Sequence, residues 1–417
     1  MVKIAFFLIS LLICLTIAVD LRCGGGVSVF YSRDDLVTSG YPRLIEVEGL
    51  LCSCFIFFYL LFFKNCLHQK CDHELKSILS VFIWIFLLMS FFALFKPYYQ
   101  IIYRTSCLIP FFVFLSIVLF LTSYKNDELK KKMVDFLFLF FYIVITLSAL
   151  VVVLSVFIDL GGKYIDTYEG DNTLRLCGWG QDVSYQSCYC LWGICFGLYY
   201  MEKKGTGIAG RIINISAIML NICATLLTGA KTGYFVLLFL CFLNIRKIWK
   251  TLLLMGIVLL IYLSCFENTL WDSIINLFVA RTTTTGMSLR NEVWSDDMSI
   301  FLSSPIWGVN SYEEAAKGLG IHLLAHSQSS YFELLFWGGI PLLVFEIIFY
   351  IKSWKMILLK KNDISKDASS FFLVFLFFSM TEILFFSVQC YYSFLVILAL
   401  MLTYPSTEAS TPEEKTL

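Results

Sequence analysis

Apolar residues in this chain gather into long runs, and polar residues into short breaks between them. The runs occupy 4–19, 44–63, 77–95, 107–124, 133–158, 183–201, 212–228, 233–245, 251–267, 329–351, 369–387 and 390–404. Most approach the roughly 20 residues that a helix needs to cross a bilayer core. The pattern predicts an all-α polytopic membrane protein of about twelve transmembrane helices, within a range of ten to thirteen. The first, eighth and last runs are the weakest. Met1–Val19 has only Lys3 ahead of its apolar stretch and no A-x-A site after it, so it reads as a helix rather than a signal peptide.

The breaks carry the organisation. The longest polar segment, 268–328, holds Trp271, Trp294 and Trp307 beside apolar pieces such as "MSIFLSSPIWGV", which predicts one or two helices lying on the membrane surface. Within it "SLRNEVWSDD" reads as an amphipathic helix with Ser288 as N-cap, where Glu292, Asp296 and Asp297 can pin Arg290. A second segment spans Asp159–Asp182, and a tight turn, "TGAKTG", spans Thr228–Gly233. A lysine on so short a turn is confined. No soluble domain, linker or repeat interrupts the pattern. The chain is expected to be one integral membrane domain, 1–417, with a large extracytoplasmic loop at 268–328 between the ninth and tenth helices and a cytoplasmic tail at 405–417.

Composition agrees: of 417 residues 59% are hydrophobic and 15% charged, with mean hydropathy +0.80, more apolar surface than a soluble domain can bury. Most of the 15 cysteines sit inside the runs and act as small hydrophobes, not as a disulfide framework. Net charge is zero, yet its distribution is informative. With the N-terminus inside, 20 of the 31 Lys and Arg residues fall on inner segments, in the sense of the positive-inside rule. Only Arg211 and Arg246 among these are arginine, whereas Arg22, Arg33, Arg43, Arg104, Arg175, Arg281 and Arg290 are all outer. Topology asks only for charge. Outer arginine points to planar, bidentate contact with phosphate or carboxylate, while Arg22, Arg33 and Arg43 also fit headgroup anchoring.

The candidate chemistry gathers on that outer side as Arg175, Lys231, Arg281, Arg290 and His326, cations from separate segments able to converge on an anionic headgroup. His326 precedes a helix start at Ser329 or Ser330, where the helix dipole keeps an imidazole neutral and fit to act as a general base. Glu333 lies two turns deeper on the same face, placed to hold the other ring nitrogen. His322 and His326 lack a third ligand, and "CLHQKCDH" (Cys66, His68, Cys71, His73) is too cramped for two separated pairs, so no metal is expected. Glu382 is the carboxylate set deepest in an apolar run. No P-loop, Rossmann glycines, Ser–His–Asp pattern or nucleic-acid module is present, which excludes cytosolic nucleotide chemistry and nucleic-acid partners.

The order "RLCGWGQD", "LTGAKTGYFVLL", "LRNEVWSDDMSIFLSSPIWGVN" and "AHSQSSYFELLFWGGIPLL" resembles the O-antigen ligase and polymerase family of bacterial membrane glycosyltransferases. Arg175 and Gly178 match its Arg-x-x-Gly motif. Lys231 stands where the family has arginine, and Arg290, Trp294, Pro305 and Gly308 match the Arg-to-Trp segment and its Pro-x-x-Gly-x-Gly end, with Asn310 replacing the last glycine. His326 matches the catalytic histidine, with Ser327 replacing the usual Asn. The resemblance implies an inverting, metal-independent transfer with no cofactor. The donor would be an undecaprenyl-pyrophosphate-linked oligosaccharide, the acceptor another lipid-linked glycan, and the place the outer face of a bacterial cytoplasmic (inner) membrane. It implies catalytic roles for His326 and Arg290, substrate binding by Arg175, Lys231 and Arg281, and a chain-length regulator and a flippase as partners. A polymerase of O-antigen or capsular repeats is the leading reading; a ligase onto lipid A core and a lipid-linked oligosaccharide exporter are the alternatives.

Overall fold

The structure is a computed structural model that describes residues 73–95, 109–123, 126–158, 163–166, 173–178, 183–203, 207–249, 287–322, 329–360, 364–381 and 388–405, with 253, 256, 257 and 279 singly. In chain order the elements are α1 (His73–Phe95), α2 (Ile109–Ser123), α3 (Asp127–Leu154), β1 (Lys163–Asp166), β2 (Thr173–Leu176), α4 (Val183–Glu202), α5 (Ile208–Leu227), α6 (Lys231–Leu243), α7 (Met287–Ser303), α8 (Tyr312–Gly318), α9 (Ser330–Leu359), α10 (Ser365–Thr381) and α11 (Val388–Thr403). Nine of the twelve apolar runs correspond to helices among these residues. Those at 4–19 and 44–63 lie outside the described residues, as does most of 251–267.

One feature departs from the all-α expectation. β1 and β2 form a two-stranded antiparallel hairpin, with Tyr164 opposite Arg175. Four-residue strands are too short to leave a readable alternation, so the segment passes for loop.

Among the described residues, four helices are long and apolar enough to cross a membrane: His73–Phe92, Asp127–Leu154, Ile208–Leu227 and Ser330–Leu359. The first three can satisfy their backbone internally, as a bilayer requires, whereas Ser330–Leu359 is interrupted at Gly339. On α3 the residues Phe136, Leu139, Ile143, Leu147 and Leu150 recur every three or four positions and remain exposed. Such a stripe is costly in water and suited to lipid. At its start Asn126 caps α3, its side chain accepting from Leu129 N at 3.1 Å.

At the centre of the bundle stands α4, where all but three of 20 residues are buried. Its Cys, Ser and Gly residues let α3, α5, α6, α10 and α11 pack closely around it. Beside this group α1 packs on α9, and α2 on α11. Phe82 joins them through Phe111, Phe114 and Phe349, and Phe375 stacks on Phe394 at 3.7 Å between ring centroids.

The lysines at one end are held by fixed partners. Lys203 pairs with Asp135 at 2.8 Å, while Lys247 bridges Glu202 at 2.9 Å and the buried Asp367 at 3.0 Å. Burial alone would lower the Lys247 pKa, but the Asp367 and Glu202 carboxylates outweigh it and raise it. Lys352 donates to Ser77 Oγ at 2.6 Å, and Lys360 to the carbonyls of Leu402 and Tyr404 as α11 ends. The opposite end carries the hairpin, α7 and α8.

Candidate functional site

Two corners of that second end carry Arg175, Lys231 and Arg290. At the first, the hairpin is seated on the helix ends: Leu176 shares a buried cluster with Ala149 and Val152 of α3, Cys190 of α4, and Ala224 and Leu227 of α5. Gly178 turns the chain with φ 54°, and a Cβ there would stand 2.6 Å from Val152 Cγ2. The second residue of the Arg-x-x-Gly motif that is fixed by shape is thus the glycine, and it anchors the strand that carries Arg175.

Lys231 lies at the same corner, four residues beyond Leu227. The turn is shorter than "TGAKTG" suggests. Thr228 is the C-cap of α5, Gly229 has φ 65°, Ala230 is the N-cap, and Lys231 already opens α6. A lysine in a first turn faces the positive end of the helix dipole, so helix stability alone does not favour it. Its neighbour Thr232 pairs with Thr381 at the end of α10, 2.7 Å between hydroxyl oxygens, and Gly233 abuts Ser187 of α4.

The second corner is built from α7, α8 and the start of α9. Ile300, Val309, Ala316 and Phe336 form a small core of their own. Here α7 begins at Met287, so Ser288 lies inside its first turn and is not the N-cap that the sequence suggested. Arg290 lies on α7, two turns before the buried Asp297, in a helix that packs on α9. Of the three acids expected to hold Arg290, Glu292 is exposed, while Asp297 is fully buried and accepts a 2.8 Å hydrogen bond from Tyr312 of α8. Burial, then the Asp297 charge, pushes the Tyr312 phenol pKa up, so Tyr312 remains a donor at any ordinary pH.

Between α7 and α9 the backbone exchanges partners. Gly308 (φ 69°) and Gly339 (φ 64°) each break their segment. Val309 N donates to Phe336 O at 2.8 Å, and Ile340 N donates to Pro305 O at 2.9 Å. Pro341 then restarts α9.

The corners meet across α10: Thr381 touches Thr232 of α6, and Leu376 O accepts from Tyr331 of α9 at 3.5 Å. Ser329 is the N-cap of α9, as expected, and Glu333 sits in its first turn. His326 and Arg281 lie outside the described residues, as do Glu382 and, apart from His73, the "CLHQKCDH" cluster. Sequence reasoning passed over Glu346, buried at mid-helix in α9 within "LLVFEIIF"; a carboxylate inside so apolar a run was the available signal.

Helices of this length and apolarity, packed side by side with lipid-facing stripes, define a multi-pass membrane protein. Residues 216–347 match the family model described as O-antigen ligase. That match supports the O-antigen ligase and polymerase family, and it takes in Lys231, Arg290, His326 and both glycine breaks, while Arg175 precedes it. No curated protein matches the chain.

Proposed function

We propose that this protein is a glycosyltransferase that polymerises polyprenyl-pyrophosphate-linked oligosaccharide repeats of O-antigen or capsule on the outer face of the bacterial cytoplasmic membrane. The observation that carries the reading is the match over 216–347, a stretch that takes in Lys231 at the start of α6 and Arg290 on α7. That end is the outer one, because the lysine-rich end obeys the positive-inside rule as the cytoplasmic face.

A hydroxyl of the acceptor sugar attacks the anomeric carbon of the donor. The carbon–oxygen bond to pyrophosphate breaks, its electron pair leaves with the pyrophosphate, and the configuration inverts. His326 takes the hydroxyl proton, with Glu333 placed to hold the other ring nitrogen. Arg290, Arg175, Arg281 and Lys231 bind the departing charge, aided by the backbone N–H groups that open α6. Pyrophosphate is already a good leaving group, so neither nucleotide nor metal is needed.

The family description favours one second reading, a ligase that moves finished glycan onto lipid A core. Deletion of the gene followed by a gel of surface polysaccharide separates the two. Loss of a polymerase leaves single repeats, whereas loss of a ligase leaves long polymer on the carrier lipid. Repeat units retained inside the cell would instead indicate an exporter.

A further inference from the structure

The two breaks are copies of one device. In an uninterrupted helix Val309 N would bond Pro305 O, and Ile340 N would bond Phe336 O, each four residues back. Each donor instead takes the other segment's carbonyl: Val309 N to Phe336 O at 2.8 Å, Ile340 N to Pro305 O at 2.9 Å. In both segments a glycine of left-handed φ stands just before the donor, and in both the approach is too close for a side chain. A Cβ on Gly308 would overlap Phe336 O, and a Cβ on Gly339 would overlap Ile306 O.

The same four backbone groups can be satisfied in two ways, joined across the segments or closed within each. Orphaned backbone groups are costly near hydrocarbon, so a mixture is disfavoured and the choice is collective. The glycines select the joined form, because an L residue with a Cβ prefers the right-handed backbone that closes each segment on itself.

We infer that Gly308 and Gly339 are positioning residues, whose exchanged backbone bonds fix α7, and with it Arg290, against the membrane helix α9. Their role in catalysis rests on the reading that Arg290 holds the leaving pyrophosphate. The coupling itself does not.

The test is hydrogen–deuterium exchange on the full chain in lipid nanodiscs, followed through peptides covering 305–310 and 336–341, beside elongation of a lipid-pyrophosphate-linked repeat unit. Gly308→Ala and Gly339→Ala are each expected to speed exchange at least tenfold in both peptides and to lower turnover at least tenfold. The double variant should be no worse than either single one within threefold. Gly318→Ala, at a glycine with open space around it, should change neither readout. Pro341→Ala introduces no clash and restores an N–H that lets α9 run on, so it gives the same cross-segment loosening in milder form should a glycine variant fail to accumulate.

Exchange that quickens only in the substituted segment would overturn the coupling. Cross-segment loosening with unchanged turnover would overturn the positioning role. A wild type that elongates nothing would overturn the functional reading, and the exchange data would still decide the coupling.

Discussion

Arg290 and Lys231 are both cations, yet they are expected to respond differently to exchange with each other's residue type. Arg290 stands two turns before Asp297 on α7, and Tyr312 holds that aspartate in place, which fixes the helix that would offer a forked contact to phosphate. Arg290→Lys removes the fork and is expected to lower transfer by tenfold or more, the scale of about 1.4 kcal/mol for one lost charge-assisted contact. Lys231→Arg keeps the charge at the start of α6 and is expected to remain within about threefold of wild type. Initial rates with a lipid-linked donor check both, and a fully active Arg290→Ala would reduce Arg290 to a surface anchor. For the histidines, His326→Ala should lose the ~10²–10⁴-fold that a positioned base contributes. His322→Ala, an exposed residue with no assigned task, should match wild type. An equal defect in both would point to loop folding instead.

Elements were legible where one physical rule dominates. Apolar runs found α1, α2, α3, α4, α5, α6, α9, α10 and α11 to within a few residues at most ends, because a bilayer sets helix length by itself. The run at 133–158 missed the first six residues of α3, since Asp127, Glu128 and Lys130 to Lys132 are polar although they are helical and follow the Asn126 cap. Glycines 308 and 339 were visible as motif letters, but their partner choice was not. A positive φ is encoded locally, whereas which carbonyl the next N–H meets depends on another segment. The lysine end offers a test of elements without touching the site. Lys247→Ala would leave the Asp367 carboxylate buried without its cation, a loss on the order of 2–3 kcal/mol. Lys132→Ala breaks only the solvent-screened pair with Glu128 and should leave the midpoint close to that of wild type. Thermal unfolding midpoints of the detergent-extracted variants should separate the two; equal midpoints would mean that the Lys247 bridge does not tie the segment after α6 to α4 and α10.

At the scale of the whole molecule, the bundle sets two kinds of charge at opposite ends, lysines in ion pairs at one and the helices bearing Arg290 and Lys231 at the other. Cysteine labelling from outside intact cells, in a background without reactive surface thiols, should reach Thr232→Cys and the exposed Lys317→Cys without permeabilisation. Labelling only after permeabilisation would invert the orientation and with it the mechanism. The most direct measurement is elongation by the purified chain in lipid vesicles, given a lipid-pyrophosphate-linked repeat unit, no nucleotide, and a chelator for divalent metals. The account predicts a ladder of lengthened glycans on the carrier lipid from wild type and single unextended repeats from His326→Ala. Wild-type vesicles that move the repeat unit across the membrane but leave every repeat unextended would contradict it.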